Sequence, residues 1–133
     1  MEMAKTAGAR RAVRLNVSGA FHSPLMEPAV PGLGAALESA SLSDDAFPIY
    51  ANVDAKPSTT AAAARTSLLR QLTSPVRWTD VVAALAGDFP SALFVEMGPG
   101  NVLTGLVKRI APQVATMSCG TTAEIEALLT RVN

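Results

Sequence analysis

One histidine, His22, stands in the stretch Val17-Ser-Gly-Ala-Phe-His-Ser-Pro-Leu-Met-Glu-Pro28, and the chain has no other. Imidazole is the side chain whose ordinary pKa suits proton transfer near neutral pH, so His22 is the first candidate for an acid or base. The alternatives for a lone histidine are a polar surface residue or a hydrogen-bonded supporting group. Cys119 is equally alone. It allows no intramolecular disulfide and no CxxC pair, and one sulfur with one imidazole falls short of a zinc site. No cation stands beside it to favour the thiolate, which points to a buried or incidental thiol. The turn Gly98-Pro99-Gly100 offers two positions for positive φ or close approach. The amides opening the helix behind it are suited to an anion. A structural role is the stronger reading, because a lone Gly-Pro-Gly lacks the spacing of phosphate-cradling loops. Asn52 and Asp54 are explained by turn chemistry.

The elements that must position these residues follow from pattern. Residues 1–9 read as the last turns of a helix with Gly8 as its stop. From Ala12 to Ser18, Val13, Leu15 and Val17 alternate with Arg14, Asn16 and Ser18, as in a half-buried strand. Ser23-Pro24 is a helix start, and Leu25, Ala29, Leu33 and Leu37 follow on one predicted face, with a kink or break expected at Pro31-Gly32. Phe47 to Val53 predicts a strand and Asp54 to Pro57 its turn. Ser58-Thr59-Thr60 caps an alanine-rich helix to about Leu72. A helix over Trp78–Ala86, with Val81, Val82 and Leu85 inward, leads to a buried strand at Ala92–Val95. A helix from Asn101 to Ile110, a strand from Val114 to Ser118 and a closing helix from Thr122 to Val132 complete the alternation. This order predicts an α/β fold with a mostly parallel sheet. His22 falls just beyond the end of its strand, where sites gather in open α/β sheets.

Composition narrows the class. Of 133 residues 49% are hydrophobic and 17% charged, which is globular. Eleven basic and eleven acidic side chains cancel, so nothing favours nucleic acid. Lys5, Arg10, Arg11 and Arg14 read as a solvated face. The start lacks the apolar core of a signal peptide, and no apolar run approaches the ~18–20 residues of a membrane span. A cytoplasmic protein is the expectation, in keeping with the cysteine usage of a reducing compartment.

Four blocks carry a resemblance: VSGAFHSPLMEPA, PIYANVDAKP, LLRQLTSPVRWTDVV and LFVEMGPGNVLTGLVKRI. In order and spacing they resemble malonyl-CoA:acyl carrier protein transacylases and the acyltransferase domains of polyketide and fatty-acid synthases. The resemblance implies a partial α/β-hydrolase-like large subdomain over 17–133. The end of a ferredoxin-like small subdomain would precede it over 1–16. It implies malonyl transfer from coenzyme A to the phosphopantetheine thiol of acyl carrier protein by a Ser/His mechanism, in fatty-acid or polyketide synthesis. His22 would be the acid/base, oriented by the main-chain carbonyl of Gln71 where familiar triads use an aspartate. A polar residue near a helix end is the plain reading of Gln71. Phe21 would favour malonyl over methylmalonyl by its bulk, or would simply fill the core. Malonyl-CoA enters as substrate. No cofactor or metal is implied, and the partners are acyl carrier protein and malonyl-CoA.

The chain departs from the family at its nucleophile. Its serines, at 18, 23, 39, 41, 43, 58, 67, 74, 91 and 118, include none with glycine two residues before and two after. The resemblance therefore reaches the C-terminal portion only. A fragment, half of a split enzyme with the serine on a separate polypeptide, and a non-catalytic carrier-binding module are the expectations that follow, in that order. Apolar surface and an open strand edge should be exposed.

Overall fold

The computed structural model describes residues 1–14, 16–45 and 47–132. Two clusters of elements share the chain. The first begins after a short helix α1 (Glu2–Thr6), closed by Gly8 at φ +89°. It comprises a 3-10 helix (Pro24–Ala29), helix α2 (Val30–Ser39), a hairpin of β1 (Ile49–Tyr50) and β2 (Pro57–Ser58), and helix α3 (Ala61–Thr73). Thr60 caps α3, its hydroxyl accepting from Ala63 N at 3.2 Å. The 3-10 helix and α2 pack on α3. Arg65 of α3 reaches back to the Leu37 and Ala40 carbonyls, placing a cation on the unpaired oxygens that end α2.

The second cluster is an α/β layer. Helix α4 (Trp78–Asp88) leads to β3 (Leu93–Met97), α5 (Val102–Ile110), β4 (Ala115–Cys119) and α6 (Thr122–Val132). Strands β3 and β4 pair in parallel from Leu93 opposite Ala115 to Met97 opposite Cys119, with α5 as the crossover. A parallel pair needs such a crossover and a covered face. The core lies there: Val82 and Ala86 of α4 meet Val107, Ala111 and Val114, with Trp78, Phe94 and Ile110 packed around them. Val82 is the deepest, at 1% exposure. Cys119 closes β4 and is buried.

Three expectations change. No strand forms over residues 12–18 among those described, Leu15 lying outside them. Alternation alone does not make a strand, because its N–H and C=O groups need a neighbouring strand, and none described runs beside it; Val13 and Val17 are exposed. The strand expected over 47–53 shrinks to Ile49–Tyr50, which pairs antiparallel with Pro57–Ser58. The four-residue apolar stripe also breaks. Residues 24–29 wind at three residues per turn, so Leu25 is exposed while Leu33 and Leu37 of α2 are half-buried. The break falls at Val30, one residue before Pro31, which then sits in the first turn of α2 where its missing N–H costs nothing. Exposed apolar residues are numerous, Val17, Leu25, Phe47, Met97, Val102 and Leu129 among them.

Candidate active site

His22 occupies a sharp turn. Its φ is +59°, a left-handed conformation that costs a β-carbon-bearing residue of order 1–3 kcal/mol. Ser23 braces that turn: its hydroxyl donates to the Ala20 carbonyl at 2.7 Å and accepts from Leu25 N at 3.3 Å. Ser23 itself is extended, as an N-cap should be, and the 3-10 helix departs at Pro24.

The imidazole meets α3 at its last turn. His22 Nδ1 lies 2.9 Å from the Gln71 main-chain oxygen. A carbonyl only accepts, so Nδ1 is the donor. The Gln71 side-chain amide, 3.4 Å from the same nitrogen, does not compete for it. Its two protons go to the Ser74 carbonyl at 2.9 Å and the Pro75 carbonyl at 3.3 Å. The neutral ring therefore carries its proton on Nδ1 and presents Nε2 as a lone pair, the form a general base requires.

The hairpin is tied to the same helix end. Arg70 pairs with Asp54 at 3.0 Å, Asp54 accepts from Lys56 N at 3.3 Å, and Arg77 N donates to the Asn52 carbonyl at 2.8 Å. Between β1 and α3 an open cavity of about 340 Å³, lined mainly by carbon, runs to Gln71. Among the described residues no three His, Cys, Asp or Glu side chains gather as metal ligands would.

A malonyl CoA-acyl carrier protein transacylase of Haemophilus influenzae is 41% identical over 126 residues, which is 95% of this chain and 40% of that protein. A crystal structure of malonyl-CoA:acyl carrier protein transacylase from Xanthomonas oryzae superposes with a TM-score of 0.89 at 38% identity, covering 98% of this chain and 41% of the other. The chain is related to the malonyl CoA-acyl carrier protein transacylases. A malonyl-transacylase solved in complex with its type II polyketide-synthase acyl carrier protein agrees, with a TM-score of 0.88 at 39% identity over 98% of this chain and 42% of that one. No family profile matches. The chain spans about 40% of the length of the curated relatives it matches, and corresponds to a C-terminal portion of these transacylases with a partial α/β fold. No described helix is long and apolar enough to cross a membrane.

Set beside the transacylases, the residues singled out by sequence divide. His22 and Gln71 are brought together. Phe21 is 57% exposed and fills no core; its ring folds over Gly19, where a β-carbon would stand 3.3 Å from two ring atoms. The Gly-Pro-Gly turn is structural: Gly98 and Gly100 take φ +125° and +99°. An outside anion would find the helix behind it occupied. Glu96 Oε1 accepts from Leu103 N at 3.0 Å and Oε2 from Thr104 N at 2.7 Å, so the first amides of α5 are held by a carboxylate of this chain. The Thr104 amide above all holds the Glu96 carboxyl below its ordinary pKa, against a desolvation that pushes the other way.

Sequence reading missed this clasp, and a second like it. Glu124 accepts from Gly120 N and Thr121 N, both at 2.9 Å, while Thr121 Oγ1 accepts from Glu124 N at 3.3 Å. This is a capping box, and Thr121-Thr-Ala-Glu124 was its readable signature. The Gly120 amide leads in holding the Glu124 carboxyl below its usual value.

Proposed function

We propose that this chain supplies the acid–base part of a malonyl-CoA:acyl carrier protein transacylase, and that the nucleophilic serine comes from a segment outside this sequence. The observation that carries the reading is the 2.9 Å contact between His22 Nδ1 and the Gln71 main-chain oxygen, which leaves Nε2 free to accept a proton. In the first half-reaction Nε2 takes the serine proton as the serine oxygen attacks the malonyl thioester. The imidazolium then returns that proton to the departing coenzyme A thiolate. In the second half Nε2 takes the proton of the carrier protein's phosphopantetheine thiol, which attacks the malonyl-serine ester, and the proton goes back to serine. The Gln71 carbonyl holds the ring and stabilises the imidazolium throughout, in the manner of a triad carboxylate.

Phe21, adjacent to the base and largely exposed, is the proposed selectivity residue. Its ring would border the α-carbon of the acyl group and disfavour a methyl there by about 1–3 kcal/mol. Residues 1–16 are assigned to the end of a ferredoxin-like subdomain and 17–133 to the large one. Malonyl-CoA is a substrate, the chemistry calls for no cofactor, and the setting proposed is the cytoplasm. Acyl carrier protein is the partner, a reading supported by the solved malonyl-transacylase that holds such a carrier in its complex.

The test mixes this chain with the serine-bearing N-terminal portion of a relative and follows radiolabelled malonyl from coenzyme A onto acyl carrier protein. Transfer that falls by about 10³-fold or more with His22→Ala supports the reading. A folded mixture that transfers nothing, with carrier protein still bound to this chain in calorimetry, would replace it by a non-catalytic binding module.

A further inference from the structure

The Gln71 oxygen that meets His22 is a helical carbonyl, and an α-helix normally uses such oxygens itself, each accepting from the N–H four residues on. Four residues on from Gln71 stands Pro75, which has no N–H. A proline also drives the residue before it out of helical geometry, and Ser74 is extended at φ −115°, ψ 148°. Helix α3 accordingly ends at Thr73. The Ser74 amide donates to the same oxygen at a long 3.3 Å as the cap of the helix, which leaves the carbonyl's second lone pair for the imidazole. The Gln71 side chain folds over the same corner and satisfies the Ser74 and Pro75 carbonyls.

We infer that Pro75 is a positioning residue: by withholding the N–H four residues on, it keeps one lone pair of the Gln71 carbonyl open to His22 beside the Ser74 amide, and so fixes which ring nitrogen carries the proton. The inference rests on the reading of His22 as the proton carrier. It is separable from that reading, because the tautomer can be observed without any acyl transfer.

The experiment is nitrogen-15 NMR of the full chain, in which the single histidine makes assignment unambiguous. In the unsubstituted protein Nδ1 should resonate as the protonated nitrogen and show a through-hydrogen-bond coupling to the Gln71 carbonyl carbon. Pro75→Ala gives the helix an amide four residues beyond Gln71. Two changes are then expected together. The protonated-type resonance shifts from Nδ1 toward Nε2, and the amide newly created by the substitution exchanges with solvent at least ~10-fold more slowly than an open-chain amide. A variant unfolded in buffer is read again in trimethylamine N-oxide, which favours the compact state. A folded variant whose histidine keeps its Nδ1 proton overturns the inference. So does one that stays unfolded in the osmolyte, since Pro75 would then serve folding rather than histidine placement. A tautomer that moves as expected in a chain that never supports transfer would count against the proposed function alone.

Discussion

Replacing Gly120 by alanine would place a methyl group 2.8 Å from the Gly98 carbonyl carbon and 2.9 Å from Pro99 Cα, and nearer still to the Gly98 oxygen. Carbon atoms in good contact stand ~3.5–4.0 Å apart, so the backbone facing Gly120 would have to retreat by roughly 1 Å. That backbone is anchored. Gly98 N donates to the Cys119 carbonyl at 3.1 Å, and Glu96, two residues earlier, grips the first amides of α5. Overpacking of this kind costs about 1–3 kcal/mol, and opening the Gly98–Cys119 hydrogen bond adds ~0.5–1.5 kcal/mol. We therefore expect Gly120→Ala to destabilise the chain by roughly 2–4 kcal/mol, on the order of 10 °C in Tm for a domain of this size. Gly105→Ala is the internal control. Gly105 lies inside α5 with nothing within 4 Å of an added β-carbon. Relief of glycine's backbone entropy should there stabilise by about 0.5–1 kcal/mol. Thermal unfolding followed by circular dichroism measures both. A Gly120→Ala protein within about 0.5 kcal/mol of the parent would refute the close-packed turn.

Lowering the pH should release both glutamate clasps. The Glu96 and Glu124 carboxyls are held below the ordinary 4.5, so their contribution is complete above that value and fades as pH falls through their lower native ones. Tm against pH should decline below about 4.5, and the Glu96→Gln, Glu124→Gln double variant should show a shallower decline; an unchanged slope would remove the clasps from the account. Ala55 holds φ +58° in the hairpin turn, so Ala55→Gly should stabilise by about 0.5–1 kcal/mol in urea unfolding despite glycine's entropy. Val82→Ala should cost about 2–3 kcal/mol at the deepest point of the core, and a loss below about 1 kcal/mol would mean that α4 collapses freely onto α5.

Local chemistry made part of this fold legible. The hydroxyl before an alanine run marks the start of α3, and α6 begins and ends where its pattern predicts. The continuous apolar run at 92–95 predicts a buried parallel strand; β3 forms there and pairs in parallel with β4, but its residues are half-buried and Met97 is exposed. What failed was whatever depended on a neighbour. The alternation at 12–18 describes a strand's two faces but supplies no partner for its backbone, and the four-residue stripe from Leu25 assumes an α-helix where Pro24 and Pro28 tighten the winding. At the site, His22 stands out by being alone. Gln71 does not, because a main-chain carbonyl leaves no side-chain signature, and it enters through resemblance. The proline four residues beyond it is in plain view, but its bearing on that carbonyl shows only once the helix end is placed. No pattern announces the left-handed turn at His22, which shows only in the backbone and in the Ser23 hydrogen bonds beside it.

The buried thiol that closes β4 gives the protein an internal stopwatch. Cys119 is 3% exposed, it is the only sulfhydryl in the sequence, and its carbonyl is bonded to the amide of Gly98. An alkylating reagent can reach it only when the structure around the end of β4 opens. The labelling rate, divided by that of an unfolded peptide, then reads the opening equilibrium of this one corner. Each chain records the event once, as a single mass increment, with no other thiol to blur it. A crowded corner thus reports on itself, in a protein to which no probe has to be added.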